Sequence, residues 1–405
     1  MAIRNFLRSP AAIVTAGFLA LAVAMGIGRF AFTPLLPLMN QEGKLTVAQG
    51  GWLADANYVG YLLGALFAAR LRLRPPALVA GGLAAIALST MAMALPGMAA
   101  WVVLRFAAGL CSAAVFVAAS IWNLQALNDL GRPDLVGRVY AGVGAGIALS
   151  GLHALGAAAA GLASEALWLQ LGIAAAVCSA YVCAVLCAAV PGHAGASAPP
   201  RPARAGAPSD SRGTAGMILS YGIMGFGYIL PATFLPVMAR SVVDDPRVFG
   251  LAWPVFGAMA LLSTLAAGAW IRRWTRLKVW AWSQAIMGLG VALPGLWLSR
   301  WTVLSSALLV GGTLMVITLA GIQEIRERSG PRAVAGVGYM TAAFAAGQIA
   351  GPVLSALLLG SLPHPEKALQ ISFLVAAAAL AASAAWLRSR AIPATAGASR
   401  GVRYR

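Results

Sequence analysis

Chemically versatile side chains are scarce in this chain. Eleven acidic residues, three histidines and four cysteines are spread over 405 positions, and only 10% of the residues are charged. His153, His193 and His364 lie far apart, no glycine-rich stretch ends in Gly-Lys-Ser or Gly-Lys-Thr, and no Cys-x-x-Cys pair occurs. We therefore expect no metal site, no ATP-binding loop, no disulfide framework, no catalytic nucleophile with its base, and no cofactor. Cys111, Cys178, Cys183 and Cys187 all fall in apolar stretches, where a thiol packs as a small hydrophobe.

What is present is apolar. Hydrophobic residues make up 60% of the chain and the mean hydropathy is +0.82, more than a soluble core requires. A spanning helix needs about 20 apolar residues. Twelve such runs begin near Ala11, Gly50, Ala77, Met98, Gly137, Ala166, Gly216, Phe249, Lys278, Trp301, Ala333 and Lys367. The expected fold class is an all-α polytopic membrane protein with twelve transmembrane helices.

A net charge of +18 would suggest a nucleic-acid partner in a soluble protein. Here the basic residues mark the ends of the spans instead. With the N-terminus inside, 22 of the 29 fall in cytoplasmic segments, from Arg4 and Arg8 to the arginine-rich tail, against five on the other side: Lys44, Arg240, Arg247, Arg300 and Lys367. By the positive-inside rule both termini are expected in the cytoplasm of a bacterial inner-membrane protein, with the bilayer and not nucleic acid as partner. Arg4, Arg8 and the triplet Ala22-Val23-Ala24 also fit a cleaved signal peptide. Cleavage would turn the arginine-rich loops outward, against the charge rule.

A motif occurs twice, 199 residues apart. Met25-Gly26-Ile27-Gly28 leads to Leu36-Pro37-Leu38-Met39, and Met224-Gly225-Phe226-Gly227 to Leu235-Pro236-Val237-Met238. Two copies in the same chain direction imply two six-helix halves related by a pseudo-twofold axis, a plan used by secondary transporters. Residues 191–214 are rich in Pro, Ala, Gly and Arg and read as a flexible cytoplasmic linker. The expected domains are bundles at 1–190 and 215–390, with a cytoplasmic tail at 391–405. Gly142, Gly146 and Ser150, and again Ala343, Gly347, Gly351 and Ser355, form small-residue stripes. They suit close helix packing, or sliding surfaces between the halves.

Ionisable residues inside spans are few, and each is costly enough to be a functional candidate. Arg29, Asp55 and Arg105 all fall in the outer half of the bilayer, and His153 lies in the fifth span. Arg29 and Asp55 suit an ion pair. Asp55 and His153 are the candidates for proton coupling, since arginine does not deprotonate at useful pH. Asn57, Tyr61, Trp122, Asn123, Gln125, Tyr228 and Gln348 are the polar residues expected to line a central cavity with Arg29 and Arg105. Two arginines against one aspartate favour an organic anion or a zwitterion.

The stretch Arg105-Phe106-Ala107-Ala108-Gly109 followed by small residues resembles the fourth-helix signature of the major facilitator superfamily, which implies that Arg105 faces the central cavity. Within that superfamily the chain is similar to the YbfB/YjiJ group, through GIGRFAFTPLLPLM at 26–39, GWLADANYVGYLLGAL at 51–66, YAGVGAGIALSG at 140–151 and YMTAAFAAGQIAGP at 339–352. The acid of the superfamily's loop signature between helices two and three is replaced by Ala68. The resemblance implies a 6+6 helical fold and a transport role. We expect a secondary transporter that moves a small molecule by alternating access, as a monomer, with proton-coupled efflux as one mode. A transporter-fold sensor without flux is the alternative.

Overall fold

The computed structural model describes residues 6–70, 74–189, 211–239, 246–361 and 363–391, which are helices and short connections. Twelve helices run α1 (Pro10–Gln41), α2 (Val47–Arg70), α3 (Pro75–Ala92), α4 (Met98–Asp129), α5 (Val136–Ala159) and α6 (Ser164–Ala189) in the first half. The second half comprises α7 (Ser211–Ala239), α8 (Pro246–Arg273), α9 (Arg276–Leu296), α10 (Arg300–Ser329), α11 (Ala333–Ser361) and α12 (Pro365–Arg390). Most of the linker read from the sequence lies outside the described residues, and its last four residues belong to α7.

Ten stretches are long and apolar enough to cross a bilayer, one of them being α10 and α11 joined by a single 3-10 turn. The helix missing from that set is α2, which carries Asp55, Asn57, Tyr58 and Tyr61. Helix starts are fixed by local chemistry: Ser9 caps α1, Thr275 caps α9, and Ser299 with Thr302 forms a capping box on α10. At Gly43, Gly131 and Gly161 the backbone turns with φ near +68°, a conformation that L side chains resist, so these connections stay short.

The packing obeys a twofold exchange of the halves. The neighbours α1–α5, α2–α4, α3–α4 and α3–α6 recur as α7–α11, α8–α10, α9–α10 and α9–α12. The halves meet along two seams, α2–α11 and α5–α8, which the same exchange interconverts. Helix starts and ends alternate between two faces. We call the face holding the start of α1 and the end of α12 the terminal face, and the other the distal face.

The small-residue stripes pack within each half, not between halves. A Cβ on Gly142 would meet the Phe18 carbonyl of α1 at 2.1 Å, and one on Gly347 the Gly222 carbonyl of α7 at 2.1 Å. The repeated motif has the same purpose: a Cβ on Gly26 would come 2.4 Å from Gly146 Cα, and one on Gly225 2.2 Å from the Phe344 carbonyl. The seam glycines are others. Gly144 and Gly257 face each other across α5–α8, Gly151 rests on Pro254, and Gly338 rests on Ala65 and Ala69 across α2–α11.

On the distal face the α1–α2 turn is tied to α6. Glu42 accepts the Ser164 amide at 2.7 Å and the Ser164 hydroxyl, and Lys44 pairs with both Glu42 and Glu165. Burial alone would raise the Glu42 carboxyl, but the bonds from Lys44 and Ser164 outweigh it and hold the group below its ordinary range. A lowered folded-state pKa adds stability above the unfolded-chain value and loses it as pH falls through the folded one. Thermal melts in detergent are expected to place Glu42→Gln below wild type at pH 7, by about 1 kcal/mol or less. The gap should close under acid, below about pH 4.

Candidate functional site

The site grows from an irregularity in α1. Residues Ala22–Phe30, which contain Met25–Gly28 of the first motif copy, form a π-helix, while the whole second copy lies in regular α-helix. In a π register the carbonyl of residue i looks to the amide of i+5, so Arg29 looks to Pro34, which has no N–H. Side chains take up the freed oxygens. Arg105 of α4 donates Nη1 to the Gly28 carbonyl at 3.2 Å and Nη2 to the Arg29 carbonyl at 3.0 Å. Asn57 of α2 donates to the same Gly28 carbonyl at 3.4 Å and to the Arg105 carbonyl at 2.9 Å. Arg105 is thus a clamp on α1, with the ring of Phe32 4.9 Å from its guanidinium, and does not line the central chamber. Its loss removes the side-chain donor from the Arg29 carbonyl and leaves the Gly28 carbonyl to Asn57 alone. Arg105→Ala is expected to destabilise the protein by about 2–3 kcal/mol, read from melting in detergent, with Arg105→Lys recovering only part because lysine has no fork.

The Arg29 side chain points the other way, into a box of rings. Its guanidinium lies 3.7 Å from the centroid of Tyr61, 5.4 Å from Phe30, 5.6 Å from Tyr58 and 5.7 Å from Phe344. Nη2 donates to Gln348 Oε1 on α11, so Arg29 bridges the halves. It is 2% exposed, and its Nε and Nη1 have no partner among the described residues, nor has Gln348 Nε2. Among the described residues no carboxylate pairs with either arginine. The Arg29–Asp55 pair expected from the sequence is absent. Asp55 is exposed, on the side of α2 that carries exposed Trp52 and Val59, while Asn57, two residues on, faces inward.

One helical turn closer to the terminal face than Arg29 and Gln348, seven helices enclose a chamber of about 20 Å³, lined chiefly by Met25, Phe30, Tyr61, Tyr221, Met315 and Phe344. The chamber has space for about one water. Tyr61 lines this chamber and reaches Met25 Sδ with its hydroxyl at 3.6 Å. Tyr228 stands behind the wall, stacked on Phe344 at 5.8 Å. Asn123 lies two turns from Phe116 toward the terminal face, bonded to the Ala119 carbonyl at 2.8 Å and packed on Gly17 of α1. Trp122 beside it is half-buried and, like Asn123, does not reach the chamber; Gln125 is exposed. His153 is half-buried, and its enclosed Nε2 has no partner among the described residues.

Sequence reading missed Tyr58, Phe30 and Phe344 around Arg29, and the Tyr221 hydroxyl that donates to Thr318 Oγ1 at 3.1 Å across the chamber floor. The available signal was Tyr221 and Tyr228, seven residues apart and so on one face of α7.

Two interchangeable six-helix halves about a central chamber are the fold of the major facilitator class. Residues 21–388 match the family described as "Uncharacterised MFS-type transporter YbfB", and the chain belongs to that family. It is 30% identical over 181 residues to "Uncharacterized MFS-type transporter YceJ" of Bacillus subtilis (strain 168), a match covering 43% of this chain and 44% of that relative, less than half its length. The fold superposes on the crystal structure of the human organic anion transporter MFSD10 (TETRAN) with a TM-score of 0.69 and 16% identity, over 94% of this chain and 99% of that one.

Proposed function

We propose that this protein is a secondary active transporter that moves a small organic anion across the bacterial cytoplasmic membrane, as a monomer, by alternating access of its halves. Arg29 carries the reading. A buried guanidinium with two unused donors and no counter-charge is costly, and cation–π contacts worth about 0.5–2 kcal/mol each offset only part of that cost. A carboxylate or phosphate that takes Nη2 from Gln348 would make two parallel charge-assisted bonds, the second from Nε on one edge of the guanidinium or from Nη1 on the other. The Tyr58, Tyr61 and Phe344 rings suit an anion with an apolar or aromatic body.

The bond to Gln348 gives occupancy a mechanical consequence. Arg29 belongs to one half and Gln348 to the other, so an anion that draws the guanidinium away releases a contact across the centre of the carrier. We orient the terminal face toward the cytoplasm, because arginines and lysines gather there, and take proton-driven export as the direction. His153 is the coupling candidate that keeps a buried, unpartnered nitrogen, whereas Asp55 stands away from Arg29.

The test is a thermal-shift screen of purified protein against carboxylates, phosphate esters and zwitterions, followed by flux of the hits in proteoliposomes with a pH gradient of either sign. Anions that raise the melting temperature and move across the bilayer support the reading. Binding without flux points to a sensor, and exclusive binding of cations or neutral solutes removes the role of Arg29. Equal flux at every gradient, in wild type and in His153→Ala, removes proton coupling.

A further inference from the structure

A second site lies on the outer wall of the second half. An open groove of about 950 Å³ runs between α9 and α12, floored by Ala281, Ala285, Gly288 and Ala292 of one helix and Ala377 and Ala381 of the other. Its mouth, on the terminal face, is ringed by Arg273, Lys278 and Arg388. We propose that this groove binds an anionic phospholipid of the terminal-face leaflet, its phosphodiester held by the three cations and an acyl chain laid along the alanine trough.

Three observations carry the proposal. The first is charge: Arg273, Lys278 and Arg388 converge from three helix ends, and none forms an ion pair among the described residues. Lys278 also stands in the first turn of α9, where the helix dipole favours an anion, and Thr275 caps that helix. The second is length. Ala281 to Ala292 spans about 16 Å at 1.5 Å per residue, which matches one leaflet's share of a hydrocarbon core about 30 Å thick. The third is the aromatic collar. Exposed Trp274 and Trp282 stand beside the cations, the Arg388 guanidinium 5.3 Å from the Trp282 ring, an arrangement suited to the boundary between headgroups and chains.

Basic pockets between transmembrane helices are suited to acidic headgroups. Rival occupants fit less well. A second copy docking here through a twofold would bring three cations against the same three. A free phosphate would satisfy the mouth but leave the apolar trough without a purpose. Close approach of α9 and α12, where a Cβ on Gly288 would touch Leu380 Cβ at 3.3 Å, gives the trough a floor instead of a passage to the interior.

Native mass spectrometry of the full chain, in mixed micelles of phosphatidylglycerol and phosphatidylcholine, tests the site. Wild type is expected to retain phosphatidylglycerol selectively. Each cation replaced is expected to lower that retention about fivefold, and Arg273→Gln, Lys278→Gln and Arg388→Gln combined about a hundredfold. Ala381→Trp, which fills the trough and leaves the cations, should also lose the lipid. If the triple variant fails to melt cooperatively, Arg388→Gln alone decides, with a fivefold loss expected. Unchanged retention in these variants overturns the proposal. So does full displacement of the lipid by equimolar inorganic phosphate, or cross-linking of Ala381→Cys into a dimer as the main species.

Discussion

Arg29→Gln is expected to stop transport while leaving the carrier at least as stable as wild type. The side chain brings a full charge into a buried site, gives Gln348 one hydrogen bond, and leaves two donors idle. Removing such a charge relieves desolvation, so the variant should gain about 1–2 kcal/mol of stability. The same change removes both bonds to an incoming anion, worth roughly 1.5–3 kcal/mol each, so flux should fall by about a hundredfold or more. Thermal melts in detergent and flux in proteoliposomes read the two effects separately. A destabilised variant that still transports would make Arg29 a structural residue like Arg105. That contrast matters because the two arginines lie side by side. Arg105 spends both terminal nitrogens on α1 carbonyls and keeps only Nε idle, whereas Arg29 holds Nε and Nη1 in reserve.

Gln348→Glu sharpens the same result. An acid at this position would give Arg29 a permanent counter-charge and hold α1 to α11. The variant should melt higher than wild type and transport poorly, whereas Gln348→Ala should keep anion binding and weaken only the empty closed state. Higher stability with undiminished flux in Gln348→Glu would detach the cross-half bond from the transport cycle.

Much of this architecture was legible in the chain because lipid simplifies the code. Each span must satisfy its own backbone, so runs of about 20 apolar residues mark helices directly. A polar residue in such a run is conspicuous, which is why Arg29, Asn57, Tyr61, Arg105 and Gln348 stood out. What stayed hidden was helix rotation and partnership. Asp55 and Asn57 are two residues apart, and only the rotation of α2 sends one outward and the other to the clamp. Small residues at four-residue spacing announce a close neighbour but do not name it. Gly142 and Gly146 meet α1, while Gly144 and Gly151 of the same helix meet α8. Aromatic residues such as Tyr58 and Phe344 are ordinary in a membrane span, so their role around Arg29 emerged only from geometry. The π-helix was equally silent, since Gly26, Gly28 and Pro34 also suit a kinked α-helix.

Gly109→Leu is expected to do the greatest structural damage of any single change at the site. Helices α2 and α4 touch backbone to backbone: a Cβ on Gly109 would come 2.1 Å from the Asn57 carbonyl, one on Gly60 2.1 Å from the Phe106 carbonyl, and one on Gly64 2.2 Å from the Leu110 carbonyl. No rotamer change relieves a clash with a carbonyl, so a side chain here forces the helices apart. The cost is on the order of 3–5 kcal/mol, enough to deplete folded carrier. The damage reaches the site directly, because Asn57 and Arg105 form the α1 clamp across this contact and the Arg29 box depends on where α1 lies. Gly51→Ala on α2 is the control. A Cβ there meets nothing within 4 Å, and exchange of a helical glycine for alanine should add about 0.5–1 kcal/mol. Size-exclusion profiles and melts of the pair separate a general effect of replacing glycine from loss of this contact. Equal stability in both variants would mean that α2 and α4 can separate without penalty, and Arg29 would then lack the rigid support on which selective anion binding depends.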